Sequence, residues 1–375
     1  MKRILIFSLA YYPHVGGAEV AIKEITDRVR DVEFHMLTLR FRGEKTAEKV
    51  GNVFVHRIGN GSSYLSKILF IPRAAFAARA LHSALHFDAF WAMMSYMLFP
   101  IVLLRFLGTR VPYLLTLQEG DPFSHMFGRW FILPLRPLLA QGFRNASALT
   151  AISQYLGHWA RRMGYRGEVN IVPNGADLSR FARTEHPDIK TAVTVNLVTS
   201  SRLVRKNALD EVIRALVLLP PTVQFVVYGE GPEESRLRKL AQELGVAERV
   251  LFKGYVSHEE LAPAFATAHM FIRPSRTEGF GSSFVEAMAA GLPVVGTQVG
   301  GIADFLFDEK RNPGKPTTGW AVDVGSPVQI ADAVKEVMTN PVKVENVRAN
   351  ASRLVREKYD WNLIAEHMRS VLVTL

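Results

Sequence analysis

Apolar residues along this chain fall into short continuous runs, separated by longer stretches in which they recur every three or four positions. That alternation builds buried parallel strands joined by crossover helices. In the first half the runs predict strands over residues 2–9, 33–39, 53–57, 90–94, 113–117, 148–153 and 169–173. In the second half, runs over 195–199, 224–228, 249–253, 270–273, 294–296 and 319–323 repeat the scheme. Their uninterrupted Val, Ile, Leu and Phe content is that of strands covered on both faces. A helix is expected after the first strand, with Val20, Ala21, Ile25 and Val29 on its apolar side, and others over 209–219, 258–268 and 328–338. Asn174-Gly175-Ala176-Asp177 reads as a turn and 179–190 as a polar linker, so two α/β domains are expected, 1–183 and 190–355. The charged stretch 40–49 is expected to be a mobile loop.

Two segments depart from the strand-helix rhythm. Over 64–87, Leu65, Ile68, Leu69, Phe76, Ala80 and Leu85 alternate with Lys67, Arg73 and Arg79, the pattern of a basic amphipathic segment. Over 125–144, Trp130, Phe131, Ile132 and Leu133 lie beside Arg129 and Arg136, and Pro134 and Pro137 rule out one regular helix. Both segments suit either an interfacial patch or core packing beneath a basic rim.

Composition narrows the classes. With 375 residues, 48% hydrophobic and 21% charged, the chain is long enough for two globular cores. It contains no cysteine, which excludes disulfides, thiolate catalysis and Cys-based metal sites, and its 11 His show no close ligand spacing, so no metal is expected. The net charge of +10 is unevenly placed: residues 1–180 hold 22 Lys and Arg against 12 Asp and Glu, whereas the remainder balances. From Pro122 to Gly167 there are six Arg and no acid, which points to an anionic partner, a membrane surface or a nucleic acid. The basic start and apolar run at 1–10 imitate a signal peptide, but Tyr11-Tyr12-Pro13 offers no cleavage site and the run fits a first strand. The apolar, uncharged run 89–104 is broken by Pro100 and is shorter than the roughly 20 residues a spanning helix needs.

Candidate chemistry centres on residues 274–301. Glu278 and Glu286 flank Gly279-Phe280-Gly281-Ser282-Ser283, where the glycines permit a tight turn and close ligand approach. Ser282 or Ser283 suits an N-cap before a helix that buries Phe284, Ala287 and Met288, and the amides at such a helix start suit a phosphate. A competing reading makes Ser283 and Glu286 a capping box that serves only the helix. Arg202 and Lys206, four apart after a strand, could grip a diphosphate, with Arg205 an alternative to Lys206 and solvated surface cations the plainer reading. Gly229 and Gly231 form another glycine turn, and Gly16-Gly17 precedes a helix with Glu19 in its first turn, where the dipole favours an acid in any case. Gln118 ends a strand, where ligands of open α/β sheets gather.

The string from Glu278 through seven residues to Glu286, then Ala-Met-Ala-Ala-Gly-Leu-Pro-Val-Val, closely resembles the signature of the family 4 retaining glycosyltransferases. Gly-Gly-Ala-Glu after the first strand and Pro-Asn-Gly-x-Asp at 173–177 are similar to that family too. The resemblance implies the α/β GT-B fold, two facing Rossmann-like domains with parallel sheets and an interdomain cleft, and a final helix, 359–375, packed on the first domain. It implies transfer of a hexose from a nucleotide diphosphate sugar to an acceptor hydroxyl without a cofactor or metal. Glu278 would lie by the donor sugar, Glu286 on the ribose, and Arg202 and Lys206 on the diphosphate. Gly17, Gly229, Gly231, Val256 and Gly279 to Ser283 would serve the donor, with Val256 near the base. Glu19 and Gln118 would fall on the acceptor side. Gln118 departs from the family's usual His and cannot take up a proton. The expected partners are a nucleotide sugar, a saccharide or lipid-linked acceptor of the cell envelope and an anionic membrane, with a cytoplasmic, membrane-peripheral location. An epimerase or phosphorylase on the same fold is a weaker reading. A nucleic-acid-binding protein is disfavoured because the aromatics sit beside aliphatics rather than as stacking platforms.

Overall fold

The computed structural model describes residues 1–181, 187, 189 and 191–375; residues 182–186, 188 and 190 of the expected linker lie outside the described residues. The chain divides into two compact units. One is Met1–Asn174 with Trp361–Leu375, and the other is Gly175–Asp360.

The first unit is built on β1 (Lys2–Phe7), β2 (Val32–Leu39), β3 (Ala47–Val50), β4 (Val53–Ile58), β5 (Ala89–Met93), β6 (Tyr113–Leu117), β7 (Ala148–Ala151) and β8 (Val169–Ile171). They form one sheet in the order β3-β4-β2-β1-β5-β6-β7-β8, parallel except for β3, which runs antiparallel on β4. Helices α1 (Gly17–Arg28), α2 (Tyr64–Leu85), α3 (Leu98–Phe106), α4 (Phe123–Phe127), α5 (Arg136–Arg144) and α6 (Gln154–Arg162) make the connections.

One expectation changes here and another holds. The stretch 40–49, expected to be a mobile loop, contains β3, and it is pinned by the buried Arg57. That guanidinium meets Glu44 at 3.3 Å and Glu48 at 2.6 Å, and donates to the Tyr12 carbonyl at 2.6 Å. An unpaired buried cation would be costly, so the acids that made the stretch look solvated are the ones that dock it. In 125–144 the two prolines do divide the segment: a single turn at Leu133–Leu135 separates α4 from α5.

The second unit opens with α7 (Leu178–Phe181), followed by β9 (Val195–Ser200), α8 (Leu209–Leu216), β10 (Val223–Tyr228), α9 (Glu234–Glu243) and β11 (Val250–Gly254). It continues with α10 (His258–Ala266), β12 (Met270–Arg273), α11 (Ser282–Ala289), β13 (Val294–Thr297), β14 (Trp320–Val322), α12 (Pro327–Thr339) and α13 (Pro341–Lys358). Its six strands are all parallel, in the order β11-β10-β9-β12-β13-β14. The order reverses between β9 and β12, and the crevice beyond the carboxyl ends of such a pair is where open α/β sheets bind ligands. Leu197, Val212, Ile213, Phe225, Met270 and Ile272 pack the core between sheet and helices.

The last helix, α14 (Trp361–Thr374), belongs to the first unit. Its Trp361, Ile364, Met368 and Leu372 join Ile22 and Ile25 of α1, and Val29 just after it, in one apolar cluster, and Arg369 grips Asp31 at 2.7 Å. The division at Asn174 and Asp360 has a local cause. The Ala176 amide donates to the Tyr359 carbonyl at 2.8 Å and Ala176 bridges Asp360, so both crossings of the chain are tied together within the second unit.

Candidate functional site

In the second unit every parallel strand ends on the same edge, so the loops after β9, β10, β11 and β12 gather there with Arg202, Lys206, Gly229, Gly231, Val256, Glu278 and Gly279 to Ser283. The turn after β12 is set by Arg273, a charge ending an otherwise apolar strand and only 5% exposed. Its guanidinium donates to Glu278 Oε2 at 3.0 Å, to Ser283 Oγ at 3.0 Å and to the Ser200 carbonyl at 3.4 Å. Burial lowers its pKa, and the opposing charges of Glu278 and Glu286 raise it. Glu278 also accepts from the Gly279 amide at 3.1 Å, so its carboxyl is fixed from both sides. One buried cation therefore holds Glu278 directly and feels the charge of Glu286, the two acids the sequence singled out.

The helix that follows starts differently from the expectation. Its N-cap is Gly281, at φ +98, rather than Ser282 or Ser283, and no side chain caps it. Ser283 instead donates to the Ser200 carbonyl at 2.9 Å while accepting from Arg273, so the proposed Ser283–Glu286 capping box does not form. Phe284, Ala287 and Met288 are buried as expected. Phe280 is 2% exposed and packs on Phe305 and Tyr359, so its ring is taken up by the core.

The loop after β9 is stitched to the loop after β12 by Arg276. Its amide donates to the Lys206 carbonyl at 2.6 Å and its guanidinium to the Arg205 carbonyl at 2.6 Å. The same guanidinium forks Asp210 with two contacts of 3.0 Å and reaches Glu211 at 2.8 Å. Burial alone would raise the Asp210 carboxyl; hydrogen bonds and charge from Arg276, with Arg236, outweigh it and hold the group below its ordinary range. Arg205 lies 3.6 Å from Glu233 with its side chain 81% exposed, too loose a pair to be worth much.

Three glycines interlock these loops. A Cβ at Gly229, at φ +127, would stand 2.0 Å from the Ser201 carbonyl, and one at Gly231 would stand 2.4 Å from that of Leu203. The resemblance puts Gly229 and Gly231 by the donor; in the structure both pack backbone to backbone against the Arg202 loop. Likewise a Cβ at Gly300 would stand 1.8 Å from the Glu278 carbonyl, so the turn at Gly300–Asp304 presses on the Glu278 loop. Val256 lies between β11 and α10, partly buried, beside the Ser257 cap of α10.

In the first unit, Gly17, Glu19 and Gln118 also follow carboxyl ends of strands. Glu19 Oε2 accepts from the Gly16 amide at 2.9 Å, the N-terminal capping contact of α1, and burial raises its pKa. Gln118 is 9% exposed and exchanges two amide hydrogen bonds with Asn174, at 3.1 and 3.3 Å. Asn174 also lies 3.8 Å from where a Gly17 Cβ would be, so Gln118 and Gly17 are brought together through it. Beneath them Glu119, 1% exposed, accepts from the Ser95 amide at 2.6 Å and the Gln118 amide at 3.0 Å, and burial raises its pKa.

Arg273, Arg276, Asp210 and Glu119 were not among the candidate residues, and Asn174 stood out only as part of a turn that resembles the family. Arg273 had a signal, as a charge closing a buried strand; the others depend on contacts distant in sequence.

Comparison with known proteins gives two family matches: "Glycosyltransferase Family 4" over residues 15–180 and "Glycosyl transferases group 1" over residues 189–355. A GDP-mannose-dependent α-(1-6)-phosphatidylinositol monomannoside mannosyltransferase of Mycobacterium tuberculosis is 27% identical over 99% of this chain and 98% of its own. Among solved structures, the sucrose-phosphate synthase of Thermosynechococcus elongatus superposes with a TM-score of 0.84 at 19% identity, covering 100% of this chain and 99% of that one. Anabaena HepE in complex with UDP and glucose gives 0.79 at 21%, with 100% of each chain covered. The fold is GT-B.

Proposed function

The chain belongs to the family 4 glycosyltransferases, and on that premise we propose that it moves a hexose, with retention, from a nucleotide diphosphate sugar to a hydroxyl of a lipid-linked envelope saccharide. The observation that carries this is the Arg276 clasp, which fixes the loop of Arg202 and Lys206 against the loop of Glu278 at the point where the strand order reverses. Cations beside a carboxylate suit a ligand with a diphosphate at one end and a polyol at the other.

In this reading Arg202 and Lys206 take the charge that grows on the leaving diphosphate, together with the N-terminus of α11, in place of a metal. The bond from the anomeric carbon to the phosphate oxygen breaks, the acceptor oxygen bonds to that carbon on the same face, and the acceptor proton passes to the departing phosphate oxygen. Glu278, fixed by Arg273, orients the donor sugar, and Glu286 accepts hydrogen bonds from the ribose diol. Gly279 to Ser282 present backbone to the donor, Val256 lines the base and Gly229 and Gly231 shape the Arg202 loop. Gly17 serves the donor, and Glu19 and Gln118 border the acceptor. Positioning and electrostatics supply the acceleration, with no side-chain nucleophile.

The lipid-linked acceptor and the inner membrane face rest on the mycobacterial relative's acceptor and the basic first half. The test is a thermal-shift titration with UDP, GDP, ADP, CMP and dTDP, without metal, on wild type and Glu286→Ala. A ligand bound only by the folded state raises the melting temperature by mass action. One diphosphate raising it in wild type and less in the variant supports the reading; no shift from any of them sinks it.

A further inference from the structure

The two segments that broke the strand-helix rhythm lie apart in sequence, yet the fold joins them. The Tyr64 ring, at the start of α2, meets Phe131 edge-on at 6.2 Å, and Phe131 meets Trp130 at 5.7 Å. Around this junction the surface exposes Tyr64 by 60%, Leu65 by 63%, Trp130 by 83% and Leu133 by 49%, with Ile68 and Leu135 beside them. Isolated apolar side chains on a surface need no explanation, but a contiguous cluster with aromatics does. The same two segments carry Lys67, Arg73, Arg129 and Arg136, and no acid occurs within 61–87 or 122–167.

We infer that this junction is a membrane-docking surface and that its occupant is an anionic bilayer. The inference rests on the glycosyl-transfer reading for its purpose, which is to bring the first unit to a lipid-linked acceptor. Charge selects the occupant: a cationic rim without acids complements anionic headgroups, and Trp and Tyr beside aliphatics suit the interface between headgroups and chains. A second copy of this chain would meet the same basic rim with its own and be repelled.

The structure also decides how the surface engages. Helix α2 is long and apolar enough to cross a bilayer, but Phe70, Ala74, Ala75 and Ala78 bury one face, and α2 packs on α3 and β2. A spanning helix would have to leave those contacts and carry Lys67, Arg73 and Arg79 into hydrocarbon. Lying in the interface plane keeps the buried face packed, immerses the exposed apolar side and leaves the cations at headgroup depth.

The test is co-sedimentation with phosphatidylcholine vesicles with and without phosphatidylglycerol, read together with tryptophan emission. Three variants accompany wild type: Leu65→Ser with Ile68→Ser, Trp130→Ser, and Lys67→Glu with Arg129→Glu. Wild type should sediment with anionic vesicles only, weaken with salt, and show a blue shift that Trp130→Ser lacks. The charge variant should lose at least about tenfold in partitioning, since each basic residue near an anionic surface contributes roughly 1 kcal/mol. None of these residues lies in the donor site, so nucleoside diphosphate binding and transfer to a detergent-dispersed acceptor should be unchanged. Equal sedimentation with neutral vesicles, retention by all three variants, or light scattering that shows Trp130 covered in a dimer would each overturn the inference. Vesicle binding as expected with no nucleotide binding or transfer would instead refute the transfer reading and leave the surface standing.

Discussion

Arg276 and Asp210 meet as a fork, with Nη1 on Oδ1 and Nη2 on Oδ2 both at 3.0 Å, and this pair holds together two loops that are far apart in sequence. One loop carries Arg202 and Lys206 and the other carries Glu278. A planar guanidinium keeps the spacing of the two loops fixed in a way a lysine could not.

Arg276→Met should therefore lower nucleoside diphosphate affinity by about tenfold or more without touching the ligand, because positioning errors are costly. Calorimetric titration checks this. Arg276→Lys should recover only part of the loss, and adding Lys206→Met to Arg276→Met should cost less than the two single losses together. Residues that act through one another are non-additive.

The same pair sets a pH dependence. The Asp210 carboxyl is held below its ordinary range, so its contribution to stability is fully present above the unfolded carboxylate value near ~4 and is lost as pH falls through the lower folded value. The melting-temperature gap between wild type and Asp210→Asn should be constant near neutrality and shrink in acid. A gap that instead widened in acid would show the sign to be wrong.

Glycine substitutions separate packing from backbone strain. Gly245, at φ +69, has nothing within 4 Å of a new Cβ, so Gly245→Ala should cost about 1–2 kcal/mol from the left-handed backbone alone. Gly300, at φ +55, places that Cβ 1.8 Å from the Glu278 carbonyl. Gly300→Ala adds a collision with backbone to the same strain and should cost several times as much, about 3 kcal/mol or more. It should also lower transfer, because the displaced atom belongs to Glu278. Chemical denaturation and activity assays check both.

Gln118 gives a test of proton handling. Its amide is paired with Asn174 and cannot titrate, so no histidine limb arises at this position. Gln118→His should introduce a limb in the pH–rate profile near the ordinary histidine value of about 6.5, absent in wild type. Gln118→Ala should instead remove both amide hydrogen bonds to the buried Asn174, at about 1–3 kcal/mol.

What could be read from the sequence was what is local. Strands announced themselves as continuous apolar runs, and the Glu278–Glu286 string stood out because its glycines, helix and strand follow one another within a few residues. The antiparallel strand β3 was missed because Ala47-Glu48-Lys49-Val50 is short and charged; Arg57, from β4, gives Glu48 a reason to be there. Ser283 looked like a cap because the capping pattern is local, and Arg273 and Ser200 claim its hydroxyl from elsewhere in the sheet. The amide pair of Gln118 and Asn174 spans 56 positions, which no periodicity can register.

Arg273 makes the role of Glu278 separable from its structural contribution. The guanidinium is 5% exposed and has Glu278, Ser283 and the Ser200 carbonyl around it. Glu278→Ala would strip the carboxylate from a buried cation, and breaking such a pair from one side costs about 3–5 kcal/mol. Loss of activity in that variant would say little about chemistry. Glu278→Gln keeps an oxygen for Arg273 and most of the volume while removing the charge. It should melt closer to wild type than Glu278→Ala, still bind the nucleoside diphosphate, and lose transfer by about a hundredfold or more, since electrostatic complementarity at the reacting sugar is gone. Arg273→Met should lose both stability and transfer. Full transfer in Glu278→Gln would place the sugar-orienting group elsewhere and reduce Glu278 to a counter-ion for Arg273.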